Sequence, residues 1–207
     1  MIQIRCFDIE QLQPEDYKML YARASLERRQ RADRYLKQED RVRCLVAEAM
    51  LRRIPGFDQE DLARTPGGKP YLQGNDRLHF NLSHSGRWVA LAWGDSPLGI
   101  DIEQIQMDAG KEEIARRYFR SDEQAYVFAV PGDERARRFY RVWTMKESYL
   151  KYLGTGIDRP LNSFSVLSDR LGVNLVSDYL PDACMTLCAG DDIINCRMLT
   201  AGQLLAT

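Results

Sequence analysis

Residues 142–154 read VWTMKESYLKYLG. Trp143, Met145, Tyr149, Leu150, Tyr152 and Leu153 make this helix apolar nearly all round, so the chain must fold to cover most of its surface. Charges nevertheless sit in its middle: Lys146 and Glu147 side by side, then Lys151 one turn later. Tyr140, Thr144, Glu147 and Lys151 follow one another at 4-3-4 spacing and so share one strip of the helix. Two readings of the charges stand open. Glu147 and Lys151 form a surface pair of about 0.3–0.5 kcal/mol, or Glu147 meets other carboxylates where a ligand covers them.

The rest of the chain has to supply the cover. Its 207 residues suffice for one substantial core or two small ones, and 44% hydrophobic with 29% charged residues is an ordinary globular mixture. A formal net charge of −1 gives no global attraction to nucleic acid or an anionic membrane. Charge is uneven, however: from Arg23 to Arg53, ten Lys and Arg stand against five acids, a local excess of +5. The N-terminus MIQIRCFDIEQ has no apolar signal-peptide core. The longest apolar run, Trp88–Trp93, is far below the ~20 residues that cross a bilayer. Five cysteines without a C-x-x-C pair, and no fourth ligand near Cys184, Cys188 and Cys196, read as idle thiols in a reducing compartment. A cytoplasmic protein is expected.

Alternation in MIQIRCFDI predicts a strand, and a helix starts at Pro14. The 3-to-4 spacing over Ser25–Ile54 predicts two helices breaking near Lys37–Asp40, with Ser25 as N-cap and Pro55-Gly56 as stop. A short helix is expected at Asp58–Leu62, then a turn at TPGGKPYL. LHFNLSHSGRWVALAW predicts two strands about a turn at Ser83–Arg87. LGIDIEQI alternates strictly, with Leu98, Ile100 and Ile102 on one face and Gly99, Asp101 and Glu103 on the other. A helix over 110–130, an exposed connector PGDERARR, the helix 139–153 closed by Gly154, and a β-rich stretch over 161–207 complete the expectation. The run from Arg34 to Asp40 echoes Arg117 to Glu123, each followed by an apolar helix with an internal acid, Glu48 or Glu147. This predicts an α+β (α/β) fold of two similar halves, 1–97 and 98–207, related by pseudo-two-fold symmetry. Such a chain would act as its own pseudo-dimer, hence as a monomer.

Asp101 and Glu103, two residues apart on a strand, lie about 6.5–7 Å from each other on one face, given a rise of ~3.3 Å per residue. They form either the solvated face of an edge strand or part of an ion site, which Gly99 would leave open to a ligand. With Glu147 they would make a hard-oxygen set that suits Mg²⁺ bridging a phosphate. Lys146, Lys151, Lys69 and Arg28, Arg31 and Arg43 are the cations available to neutralise that phosphate. Ser83 and His84 lie at the strand turn. A metal-dependent nuclease is one competing class. Common nuclease sites place a lysine two residues after the acid on a strand, and this strand has none.

GIDIE (99–103) followed by WTMKESYLK (143–151) resembles the paired signature of the 4′-phosphopantetheinyl transferases. RADRYLKQEDRVRC (31–44), GGKPYL (67–72) and FNLSHSGRWVALAW (80–93) resemble its surfactin-synthetase-type branch, and the likeness runs from about Ser25 to Phe164. The resemblance implies the family's fold. It also implies transfer of the phosphopantetheine arm of coenzyme A to a serine of an acyl or peptidyl carrier protein, with release of 3′,5′-ADP. Asp101, Glu103 and Glu147 would hold Mg²⁺, or alternatively Mn²⁺. Lys146 and Lys151 would contact phosphates. Arg28, Arg31, Arg43, Lys69, Ser83 and His84 would hold the nucleotide and its phosphates, with Arg28 and Arg31 where relatives often carry Lys. Glu147, or else Glu123, would take the serine's proton, directly or through a metal-bound water, with Lys151 beside it. A non-catalytic coenzyme A or carrier-protein binding module is the other competing class, and nucleic acid and membrane are not expected partners.

Overall fold

The computed structural model describes residues 1–106, 110–154, 159–190 and 194–206. The chain runs through β1 (Ile2–Asp8), α1 (Pro14–Arg23), α2 (Leu26–Asp33), α3 (Gln38–Leu51), the short strands β2 (Leu62–Arg64) and β3 (Pro70–Leu72), β4 (His79–Ser85) and β5 (Trp88–Gly94). It continues with β6 (Leu98–Gln104), α4 (Gly110–Tyr118), α5 (Ser121–Phe128), α6 (Gly132–Leu153), β7 (Asn174–Leu180), β8 (Ala183–Ala189), β9 (Ile194–Met198) and α7 (Ala201–Leu205). The expected α+β architecture is present, and one topology occurs twice. A strand, three helices and a hairpin give an antiparallel sheet ordered β4-β5-β1, and the same succession gives β7-β8-β6. The chain's end then returns to the first sheet, where β9 pairs with β1 in parallel. Leu199 and Leu204, in and before α7, are buried in the core of the first half, so residues 194–206 do not stay with the second.

Alternation explains the layering. Ile2, Ile4 and Cys6 of β1 and Trp88, Ala90 and Ala92 of β5 face Leu98, Ile100 and Ile102 of β6 and Ala183, Met185, Leu187 and Ala189 of β8, forming a core between the two sheets. Phe7, Val89 and Leu91, one residue out of phase, pack instead against α3 through Leu45, Val46 and Met50. On the far side Cys184 and Cys188 of β8 meet α6 through Val142, Met145, Tyr149 and Leu150. Each fully buried Leu or Ile contributes about 1.5–3 kcal/mol. The order is therefore helices, sheet, sheet, helices, and α6 is covered on most sides as its composition requires. Among the described residues no helix is long and apolar enough to cross a membrane.

Several boundaries differ from the sequence reading. Residues 58–61 are not helical, and the chain turns there into β2. The helix expected over 110–130 is two, because Arg120 is extended at φ −70, ψ 163 and Glu123 turns back onto its backbone N–H at 2.8 Å. PGDERARR is no connector: Pro131 is the N-cap, and Asp133 and Glu134 occupy the first turn of the 22-residue α6, where acids suit the helix dipole. The break between α2 and α3 falls at 34–37, slightly earlier than read, and Ser25 caps α2 by accepting from Arg28 N–H at 3.2 Å. The hairpin turn is only Gly86-Arg87, since Ser85 pairs with Trp88. Gly86 at φ +53 supplies the left-handed residue that a two-residue II′ turn needs.

Candidate active site

The two sheets meet at β4 and β6 through side chains. Ile100 N–H donates to Asn81 Oδ1 at 2.8 Å, Ile102 N–H to Ser83 Oγ at 3.4 Å and Gln104 N–H to Ser85 Oγ at 3.1 Å. Asn81, Ser83 and Ser85 thus use their period of two to satisfy every second donor of the neighbouring strand. The hydroxyls donate onward, Ser83 to Asp101 Oδ1 at 2.9 Å and Ser85 to Glu103 Oε2 at 2.5 Å. This stitch fixes both acids. Ser83→Ala is expected to cost about 1–3 kcal/mol, from a buried N–H and a carboxylate each losing a partner. Denaturant unfolding checks the loss.

Helix α6 reaches the same place because Gly99 has no side chain. A Cβ there would lie 2.1 Å from Ser148 O and 2.4 Å from Tyr152 N. Gly99 was expected to open the strand to a ligand; it opens it to the helix backbone instead. The close approach sets Lys151 Nζ 2.6 Å from Asp101 Oδ1 and 2.9 Å from Ser83 Oγ. The helix turns two rows toward different neighbours. Thr144 is buried against Thr186 of β8 at 2.7 Å, whereas Trp143, Glu147 and Lys151, each four residues apart, face a cleft. The expected strip through Tyr140 and Thr144 is therefore one residue out.

The cleft, about 510 Å³, lies where the halves join. Asp101, Glu103, Glu147 and Lys151 line it from the second half, and Arg28, Arg31, Ser83 and His84 from the first. Arg28 is held from behind, donating to Glu48 Oε2 at 3.2 Å. Buried Glu48 also accepts from Ser25 N–H at 2.9 Å and from Arg52 at 2.6 Å, which pins the start of α2 beside the cleft. Tyr35, Arg64, Pro70 and Trp143 also line it and were not singled out from the sequence. The i, i+4 step from Trp143 to Glu147 would have found the tryptophan; Arg64, on a three-residue strand, carries no such signal.

Burial raises the Glu147 carboxyl, and the negative charges of Asp101 and Glu103 add to this against the easing charge of Lys151. Burial likewise raises Glu103, eased by the Ser85 hydroxyl and raised again by Asp101. His84 is lowered, by desolvation first and then by the charges of Arg43 and Lys151. Asp101 Oδ2 is buried with no hydrogen-bond partner. The three carboxylates share the cleft but do not converge. Among the described residues no three His, Cys, Asp or Glu side chains form a ready metal site. Lys151 sits on one oxygen of Asp101, and Ser85 holds one of Glu103. The donor set nevertheless fits a hard divalent cation: all oxygen, mutually repelling, and with one buried oxygen unsatisfied.

Three expected ligand contacts, Lys146, Lys69 and Arg43, and the alternative base Glu123 lie elsewhere. Lys146 and Glu123 are fully buried and pair with each other at 2.8 Å, so neither reaches the cleft. Lys146 also donates to Leu161 O and Phe164 O, both at 2.8 Å, and Glu123 accepts from Val166 N–H at 2.8 Å. One helical step of about 100° separates Lys146 from Glu147, and this turns the lysine into the core. Burial lowers the Lys146 ammonium while Glu123 supports it. Lys69 donates to Lys151 O at 2.6 Å and Leu98 O at 2.9 Å, tying the β2–β3 turn to the end of α6; burial lowers it to about 8. Arg43 is engaged by Gly86 O and Asp40.

Residues 97–195 match the 4′-phosphopantetheinyl transferase superfamily model, and residues 11–95 match the model of a 4′-phosphopantetheinyl transferase N-terminal region. The chain is 37% identical to a 4′-phosphopantetheinyl transferase of Bacillus subtilis over 81% of its own length and 75% of the relative's. It is 36% identical to 4′-phosphopantetheinyl transferase Sfp of Bacillus subtilis (strain 168), over 83% and 78%. With psf-1 of Bacillus pumilus it shares 36% identity, over 75% and 71%. The segments that build the cleft, from α2 through β4 and β6 to α6, all lie within the two matched regions, and the chain belongs to the 4′-phosphopantetheinyl transferase family, as a transferase of the Sfp type.

Proposed function

We propose that this enzyme moves the phosphopantetheine arm of coenzyme A onto a serine of an acyl or peptidyl carrier protein and releases 3′,5′-ADP. Mg²⁺ or Mn²⁺ would be held by Asp101, Glu103 and Glu147. The observation that carries the reading is that these acids and Lys151 line one cleft with Arg28, Arg31, Ser83 and His84. Acids alone would repel a pyrophosphate and cations alone would not hold a metal; together they suit a diphosphate accompanied by a divalent cation. The ion, when bound, stabilises negative charge on phosphate oxygens.

The chain's own residues do the rest. Arg28 and Arg31 bind phosphate on the nucleotide side, and His84 and Ser83 border it. Lys151 neutralises the diphosphate beside Asp101. Glu147 takes the proton from the carrier's serine hydroxyl. The serine oxygen bonds to the phosphorus that carries the pantetheine arm. The bridging P–O bond breaks, and its electron pair leaves with 3′,5′-ADP. The nucleophile belongs to the partner, so the chain needs no Ser-His-Asp set. Lys146, Glu123, Lys69 and Arg43 support the cleft rather than touch the ligand. An apo carrier domain incubated with coenzyme A, Mg²⁺ and the enzyme is expected to gain the mass of one phosphopantetheine, with 3′,5′-ADP formed one for one and EDTA suppressing both. A carrier of unchanged mass would refute transfer.

A further inference from the structure

A second cleft, of about 340 Å³, lies over the α3-facing side of the first sheet, across β5, β1 and β9. Arg5 of β1, Arg53 just beyond α3, and Arg197 of β9 line it, with Trp93 and Gln203 and no carboxylate. Arg5 and Arg197 are direct partners across the parallel β1–β9 pair. Like charges opposite each other destabilise a sheet. Among the described residues no acid pairs with any of the three; Arg53 donates to Ala206 O at 3.1 Å, and Arg5 to Ile4 O at 2.8 Å and Gln3 Oε1 at 3.3 Å. Arg5 also lies over the Trp93 ring at 5.1 Å, which orients its guanidinium. Consistently, Arg5 is lowered by burial first and then by Arg197 and Arg53.

A cleft of one charge sign with protein walls concentrates counter-ions, and guanidinium forks match phosphate oxygens in pairs. We propose that this cleft is a second binding site, for a small soluble phosphate-bearing polyanion. Its concave form, rather than a flat basic face, favours a small molecule over a membrane. The site is separate from the catalytic cleft: the two take different residues of the α3 region, Cys44, Ala47 and Leu51 in one, Met50 and Arg53 in the other.

Each cleft contains its own tryptophan, Trp143 in the catalytic one and Trp93 here. Titrating the ¹⁵N-labelled full chain with pyrophosphate, without divalent metal, follows the indole N–H resonances of all three tryptophans at once; Trp93→Phe and Trp143→Phe assign the two cleft signals. The Trp93 resonance is expected to shift saturably, and not with chloride at equal ionic strength. Arg197→Gln is expected to weaken that response by roughly tenfold or more while sparing transfer activity and any response at Trp143. Its Tm without anion should be no lower than wild type, since a like-charge pair is removed. An unmoved Trp93, an equal shift with chloride, or an unchanged response in Arg197→Gln would overturn the proposal. So would a Trp93 response to phosphatidylglycerol vesicles but not to pyrophosphate, which would make the cleft a lipid contact.

Discussion

Gly99→Ala is expected to disable the enzyme and to lower its stability together. The added Cβ would meet Ser148 O at 2.1 Å and Tyr152 N at 2.4 Å, both backbone atoms of a helix packed on its other sides. No rotamer change relieves that contact, so α6 must move away from β6. Overpacking usually costs about 1–3 kcal/mol, and a clash with backbone belongs at or above the top of that range. For a chain of this size, 3 kcal/mol lowers Tm by roughly 6–12 °C. The same shift draws Glu147 and Lys151 away from Asp101, so carrier loading should fall even where the variant remains folded. Gly202→Ala is the control, because open space surrounds its Cβ position. A Gly99→Ala enzyme with wild-type Tm and rate would refute the role given to this glycine.

Lys146→Met is the second large effect, and it separates a structural lysine from a phosphate ligand. The ammonium has no exposed surface and joins three elements: Glu123 of α5, the carbonyls of Leu161 and Phe164, and α6 itself. Its removal leaves Glu123 as a buried, uncompensated charge, with an expected loss of about 3–5 kcal/mol. Urea unfolding measures this. At a temperature where the variant is folded, its KM for coenzyme A should match wild type. A raised KM with unchanged stability would return Lys146 to the ligand.

The legible parts of the fold are those set by local periodicity. LGIDIEQ displayed its two faces outright, and the acids do face away from the inter-sheet core. The charges of VWTMKESYLKYLG were harder, because Lys146 and Glu147 are neighbours in sequence yet point about 100° apart around the helix. Which of them meets ligand depends on where β6 and the 161–166 segment lie, and no local pattern specifies that. Gly99 illustrates the same limit: the sequence marks a place of close approach but not what approaches. The pairing of β9 with β1 is a long-range contact and left no local trace. PGDERARR did carry a helix start in its Pro-Gly followed by two acids, which its run of arginines obscured.

Glu147 and Asp101 are proposed to act together, through the cleft at the junction of the halves, on a carrier's serine. Mass spectrometry of an apo carrier domain incubated with coenzyme A, Mg²⁺ and the Glu147→Gln enzyme tests this most directly. A carrier that stays at its apo mass, with the variant's Tm near wild type, is the predicted result. A carrier loaded at the wild-type rate would rule out a catalytic role for Glu147.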